Sequence, residues 1–95
     1  MFPALTVEGS ARAGAAVVHV FGLNVVTTDK DTIIATVKNE YRPKVPVRSF
    51  FGYGSQSGAW GLLVINLNGD ITVTHKHNSG TLTWSAIDIS VSYVY

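Results

Sequence analysis

GLLVINLNGDITVTHKH, residues 61–77, consists of two β-rich runs on either side of the turn sequence Asn68-Gly69-Asp70. Asn-Gly between two such runs is the strongest short-range signal for a β-hairpin, since glycine accepts the backbone angles that tight turns require. The segment therefore predicts two antiparallel strands, one over Gly61–Leu67 and the other over Ile71–His77.

Short strands also account for the sequence on both sides of this hairpin. No segment sustains the 3.6-residue period of an amphipathic helix, and β-branched and aromatic residues occur in bursts separated by turn-forming residues. Seven or eight such strands predict one all-β domain over residues 1–95, an antiparallel, jelly-roll-like β-sandwich. Besides the hairpin, we expect strands at Ala4–Glu8, Ala15–Val26 with a break or bulge at Gly22, Thr32–Val37, Val45–Phe51 and Leu82–Tyr95.

Several of these segments carry positional predictions. Gly9–Gly14 is rich in small residues and predicts either a loop or a flat strand close to another backbone. Apolar residues on both faces of Ala15–Val26 predict a strand covered on both sides. Two prolines in NEYRPKVPVRSF, residues 39–50, remove backbone donors and predict a corner leading into an edge strand. In the last strand, inward and outward residues alternate, with Ile87, Ile89, Val91, Tyr93 and Tyr95 on one face.

Composition limits the classes of function. Hydrophobic residues make up 46% of the chain and charged residues 14%, against about 25% charged in typical soluble domains. This shortage of charge indicates surface that is hidden in the fold or against another subunit. A net charge of +1 argues against a nucleic-acid partner, whose phosphates need many cations. The chain contains no cysteine, and its apolar runs are far shorter than the ~18 residues of a membrane span.

The parts of residues 32–95 follow one another in a distinctive order. The strand Thr32–Val37 leads to the corner Tyr41-Arg42-Pro43 and a Gly/Ser-rich loop. An apolar strand, the Asn-Gly turn and an Ile-Thr-Val return follow over Leu63–Val73, and the chain closes on SYVY, Ser92–Tyr95. This order resembles the C-terminal head domains of bacteriophage tail fibres and baseplate receptor-binding proteins, especially those of phages that infect Gram-positive bacteria.

The resemblance implies a β-sandwich at the tip of a virion's tail fibre or baseplate. It implies a homotrimer that binds host cell-wall polysaccharide. We expect such a domain to contact other phage tail or baseplate proteins and to need no cofactor. The sugar-contacting residues of such heads vary, so the resemblance transfers no site residue. The alternative within the same particle is a structural module that trimerises or docks a neighbouring tail protein and binds no saccharide.

Aromatic residues near a polar loop are the candidates for saccharide binding. Sugars present apolar C–H faces that stack on aromatic rings and hydroxyl groups that need polar neighbours. Tyr53 and Trp60 flank a loop that contains Gln56, and Trp84 and Tyr41 are further candidates. For each tryptophan the alternative is a place in the core or in a subunit interface.

Cations in the corner segment are a second group of candidates. Arg42 and Arg48, together with Lys44, suit an anionic polymer through charge-assisted hydrogen bonds. The same residues would also protect an edge strand from aggregation.

The three histidines carry weaker hypotheses. His75 and His77 lie two apart on one strand and face the same side, so they are an alternative metal site; the competing reading is a structural or solvent-facing pair. His19 is expected to be an interior or interface residue with a hydrogen-bond partner. No nucleophile elbow and no carboxylate pair across a cleft is evident, so we expect no enzyme activity.

Overall fold

A computed structural model of the protein describes residues 5–52, 60–76 and 80–95. Within these ranges the chain forms seven β-strands and one short 3₁₀ helix over Asn39–Tyr41. All paired strands are antiparallel, which confirms the predicted all-β class. The strands are β1 Thr6–Arg12, β2 Ala15–Thr28, β3 Thr32–Thr36, β4 Val47–Phe51, β5 Trp60–Ile65, β6 Asp70–Lys76 and β7 Thr81–Val94.

The strands form two sheets that pack face to face. One sheet has the order β1-β2-β7 and the other has the order β3-β6-β5-β4. In the second sheet β4, β5 and β6 are consecutive neighbours while β3 lies beside β6, which is the Greek-key arrangement. The long connection of this Greek key, residues 37–46, contains the Tyr41-Arg42-Pro43 corner. It leads into β4 at the sheet edge, as its prolines predicted.

The Asn-Gly hairpin forms where the sequence predicted it. Leu63 faces Val73 and Ile65 faces Ile71 across the β5-β6 pair. The N–H of Gly69 donates to the carbonyl of Asn66 at 2.9 Å, and the φ of Gly69 is +92°. A side chain at Gly69 would place its Cβ 2.7 Å from the carbonyl oxygen of Val37, so this turn requires glycine for both conformation and space.

A second tight turn joins β1 to β2. Gly9–Arg12, predicted as a loop or a flat strand, forms the strand and pairs with β2 up to Arg12 opposite Ala15. The two turn residues, Ala13 and Gly14, have φ values of +53° and +84°. Positive φ at both central positions is the type I′ geometry that favours Asn-Gly, so Ala13 is held in a conformation that disfavours alanine.

β2 and β7 exchange their inward faces together at one point. Ala16, Val18 and Val20 of β2 are buried, but beyond the exchange the buried residues are Val25 and Thr27. The register with β7 is the same before and after this point, and β7 shifts its buried positions in step. The predicted irregularity at Gly22 lies instead at Asn24, whose φ is +51°, a value that asparagine tolerates better than most residues.

The core lies between the sheets in two clusters. The larger cluster joins β2 and β7 to the β5-β6 hairpin, and the smaller one surrounds Trp84 at the other end of the β2-β7 pair. We predicted that β2 is covered on both faces. On its outer face, however, Val17 is 41% exposed, so the described part of the chain covers only the inner face at this point. Fully burying one large apolar side chain contributes about 1.5–3 kcal/mol, and Leu63, Ile65 and Val20 are all fully buried.

Within the described ranges, no helix has the length and apolar character needed to cross a membrane.

The Ala13 conformation generates a stability prediction. We expect Ala13→Asn to raise the free energy of unfolding by about 0.5–1 kcal/mol, because asparagine accepts a left-handed conformation at lower cost. Urea unfolding of the variant and the wild type measures this difference. Ala15→Asn, an exposed strand position in the same hairpin, is the control and should not stabilise the fold. Equal effects at both positions would contradict the turn argument.

Candidate functional site

An exposed aromatic pair lies on the outer face of the four-stranded sheet. Phe50 of β4 and Trp60 of β5 are 66% and 40% exposed, and their ring centroids are 5.4 Å apart at an interplanar angle of 65°. Phe50 faces Leu62 across the strand pair, and Trp60 is two residues before Leu62. Both rings therefore project from the same side of the sheet.

Two cations share this side of the sheet with the rings. Arg48 precedes Phe50 by two residues, and Lys76 of β6 lies directly opposite Trp60. Both cations are exposed, and no carboxylate of the described ranges forms an ion pair with either of them. We refer to Arg48, Phe50, Trp60 and Lys76 as the aromatic patch.

The aromatic patch has the chemistry of a shallow recognition surface. Aromatic rings offer flat apolar area at a low cost in conformational entropy, and a guanidinium group donates several hydrogen bonds in a fixed plane. The four residues lie on three adjacent strands, so the backbone ladder fixes their relative positions. The patch can stack on an apolar ligand face and donate charge-assisted hydrogen bonds to oxygen atoms beside it.

The structure brings together only part of the predicted saccharide site. Trp60 and Arg48 lie in the aromatic patch, whereas Tyr53 and Gln56 lie outside the described residues. Phe50 and Lys76 were not predicted. The alternation Arg48-Ser49-Phe50 could have revealed Phe50, since residues two apart share a strand face, but Lys76 required the register between β5 and β6.

Arg42 lies beside the Asn-Gly turn. An added Cβ on Gly69 would lie 3.2 Å from Nε of Arg42, so the arginine side chain covers the Asn-Gly turn. That turn is at one end of the β5-β6 hairpin, and Trp60 is at the other end. Arg42 therefore packs on the turn, at the other end of the hairpin from Trp60 and Lys76.

Trp84 occupies the core, which was the alternative to saccharide binding for this residue. Its side chain is 1% exposed, and its ring centroid lies 4.9 Å from that of Phe51. The indole Nε1–H donates to Oγ1 of Thr27 at 2.7 Å. A ligand in solvent cannot stack on this ring, which corrects the prediction that Trp84 binds saccharide.

His75 is fully buried and hydrogen-bonds with the same Thr27 hydroxyl as Trp84. Its Nδ1 lies 2.9 Å from Oγ1 of Thr27, and its exposure is 0%, so the solvent-facing reading of this residue is wrong. His77 lies outside the described residues. Within the described ranges, no three histidine or acidic side chains cluster in a way that could hold a metal ion.

His19 has the predicted hydrogen-bond partner but is not an interior residue. Its Nε2 lies 2.6 Å from Oδ1 of Asp88, and its side chain is 37% exposed. The imidazole also stacks on Phe21 with ring centroids 4.6 Å apart. This pair lies on the outer face of the three-stranded sheet, on the other side of the sandwich from the aromatic patch.

A groove of about 420 Å³ opens between the edge strands β1 and β3. Its inward-facing positions carry small residues, including Gly9, Ala11 and Ala35, so the two sheets do not close on each other here. At the groove, the hydroxyl of Tyr93 donates to the backbone carbonyl of Tyr41 at 2.8 Å. The small-residue run Gly9–Gly14 is the sequence signal that could have predicted this opening.

Comparison of the chain with protein-family models, with curated proteins and with solved structures gives no match. The fold and the aromatic patch define the protein as an antiparallel β-sandwich with an exposed aromatic and cationic surface on one sheet.

The buried hydroxyl of Thr27 generates a second stability prediction. Thr27→Val keeps the shape of the side chain but leaves the indole N–H of Trp84 and Nδ1 of His75 without this partner. We expect the free energy of unfolding to fall by about 2 kcal/mol or more, measured by urea unfolding. Thr81→Val, at an exposed position of β7, is the matched control. A Thr27→Val variant as stable as the control would contradict the role of the hydroxyl.

The hydroxyl of Tyr93 generates a prediction about alkaline pH. Burial, with a smaller contribution from the charge of Tyr95, raises the pKa of Tyr93 above its usual value of 10.0. As the pH rises, the unfolded chain therefore releases the hydroxyl proton of Tyr93 at a lower pH than the folded protein does. The stability linked to Tyr93 is complete below the unfolded pKa and is lost as the pH rises through the folded pKa.

We expect Tyr93→Phe to lose less stability than the wild type between about pH 8 and pH 11, because the linked ionisation is removed. The measurement is the free energy of unfolding at both pH values, with Tyr41→Phe as the control that retains Tyr93. Identical pH dependence in the wild type and Tyr93→Phe would contradict the linkage.

Proposed function

We propose that this protein is the receptor-binding head domain of a bacteriophage tail fibre or baseplate protein, located at the tail tip of the virion. In this proposal it acts as a homotrimer, recognises host cell-surface saccharide and performs no catalysis. The observation that carries the proposal is the exposed Phe50–Trp60 pair between Arg48 and Lys76. The order of parts in residues 32–95 supports the phage class.

The proposed mechanism assigns different roles to the rings and the cations. A sugar ring stacks its apolar face on Trp60, and Phe50 supports the indole from the side. Arg48 and Lys76 donate hydrogen bonds to hydroxyl or anionic oxygens next to the stacked ring. The site needs little ordering on binding, since its residues lie on paired strands.

Affinity in this proposal comes from repetition. A shallow patch of four side chains gives a weak single site, with a dissociation constant on the order of 1 mM. A homotrimer presents three such sites to a surface on which the saccharide repeats. Simultaneous engagement then raises the apparent affinity by about 10²–10⁴ when the geometry permits it.

The alternative function is a structural module of the same particle, which trimerises or docks a neighbouring tail protein. Exposed apolar side chains on the outer face of the four-stranded sheet favour it. Ile33 is 47% exposed there, in addition to Phe50 and Trp60. Under this alternative a protein surface, and no saccharide, covers the two rings.

Binding to purified host cell-wall polysaccharide or to a glycan array tests the proposed function. We expect Trp60→Ala to weaken binding about tenfold through the loss of stacking, with a smaller effect for Arg48→Ala. Leu23→Ala, a 72% exposed apolar residue elsewhere, and Lys44→Ala, an exposed cation outside the patch, are the matched controls.

Light scattering on the same samples supplies the oligomeric state. A folded trimer that binds no saccharide would reject the receptor role. If Trp60→Ala then dissociates that trimer, the structural alternative accounts for the patch. A monomer at micromolar concentration would contradict both the homotrimeric receptor-binding head and the trimerising structural module.

A further inference from the structure

β1 is an edge strand with few of the features that usually block pairing with another chain. It is the outer strand of the three-stranded sheet, and no described strand lies on its free side. Its seven residues, TVEGSAR, contain no proline, and its register with β2 is continuous from Thr6 to Arg12. Proteins commonly block such edges with proline, bulges, short strands, inward charges or exposed charged side chains, and of these β1 has only the exposed charges Glu8 and Arg12.

The other edge strands differ from β1 in these respects. β3 has five residues and a register shift between Ile33 and Ala35. β4 also has five residues, and Pro46 directly precedes it. β7 is long, but its one charged residue is Asp88, which is paired with His19. A second copy of β7 would therefore offer Asp88 no opposite charge.

β1 carries two charges of opposite sign on one face. Glu8 and Arg12 are four residues apart in the strand, so both project from the outer face of the sheet. Both are exposed, and neither forms an ion pair with a described residue. Between them on this face is Ser10, and the inward positions Gly9 and Ala11 are small.

We propose that β1 pairs antiparallel with β1 of a second copy of this chain, with the two Ser10 residues opposite each other at a two-fold axis. In this register Glu8 of each copy lies opposite Arg12 of the other, which creates two cross-strand pairs of opposite charge. On the inward side Gly9 lies opposite Ala11, so no bulky side chain obstructs the seam. The three-stranded sheets of the two copies then join into one six-stranded sheet.

The charges distinguish this register from its neighbours. An axis at Glu8 would place the two Glu8 carboxylates opposite each other, and an axis at Arg12 would do the same to the two guanidinium groups. An axis at Gly9 places Glu8 opposite Ser10 and leaves both charges without a partner. Side chains directly opposite one another interact most strongly. Of these registers, only the Ser10 axis places every Glu8 and Arg12 opposite a residue of opposite charge.

This contact is independent of the proposed saccharide site. The aromatic patch lies on the other sheet, so pairing through β1 leaves it open. Because one strand from each copy buries less than the ~1,200 Å² of a standard interface, the contact is weak and depends on concentration. In a trimer the same contact links one trimer to another, so in either case the mass rises with concentration.

Analytical ultracentrifugation of charge-reversed variants tests the proposal. Glu8→Arg places arginine opposite Arg12, and Arg12→Glu places glutamate opposite Glu8. We expect each variant alone to self-associate at least about tenfold more weakly than the wild type. An equimolar mixture of the two should associate again, because every facing pair is then of opposite charge.

Two further variants keep the test decisive. The double variant Glu8→Arg/Arg12→Glu restores complementarity within one chain and should regain wild-type association. Asp29→Arg, an exposed reversal outside β1, should associate like the wild type, and circular dichroism verifies that each variant folds. Full self-association of Glu8→Arg, or no recovery in the mixture, would overturn the proposal. Trp60→Ala should leave this association unchanged even if the proposed saccharide binding fails.

Discussion

The antiparallel ladder between β2 and β7 is the constraint on which the rest of the structure depends. The two longest strands of the chain, fourteen residues each, stay in one register while their inward faces exchange at Asn24. Because both strands exchange faces at the same level, the ladder supplies inward side chains to the larger cluster at one end and to the Trp84 cluster at the other. The four-stranded sheet then covers both clusters.

A buried polar group closes the sandwich at the Trp84 end. Thr27 belongs to β2, Trp84 to β7 and His75 to β6, so hydrogen bonds through one hydroxyl join the two sheets inside the core. A buried polar group that loses its partner is costly, which makes this arrangement specific as well as stabilising. It also explains why a tryptophan and a histidine, both suited to binding chemistry, have structural roles here.

The two sheets of the sandwich carry different surfaces. The outer face of the four-stranded sheet combines exposed rings with cations. The three-stranded sheet has an edge strand, β1, that lacks proline and bulges and carries one charge of each sign. Only thirteen charged residues are present in the chain, seven basic and six acidic. In so sparse a set, the position of each unpaired charge is informative. The proposed recognition and the proposed pairing therefore use surfaces that do not compete.

Sequence alone determined the local elements of this protein. Asn68-Gly69 fixed the β5-β6 hairpin, the prolines of residues 39–50 fixed the corner and the edge strand, and the alternation in β7 identified its buried face. These features depend on neighbours within a few residues, where backbone preferences and a period of two are sufficient. The alternation in β6 even placed His75 on the face of Ile71 and Val73, which the structure buries.

Only the tertiary structure decided which aromatic residues face solvent. Trp60 and Trp84 both lie on apolar strands, but Trp84 is inside because β2 and β7 exchange faces together, and no local pattern reveals that exchange. The partners of Trp84 and His75 meet across 57 and 48 residues of sequence. The two-residue period of a strand shows which residues share a face, whereas the packing of the two sheets decides which face is buried.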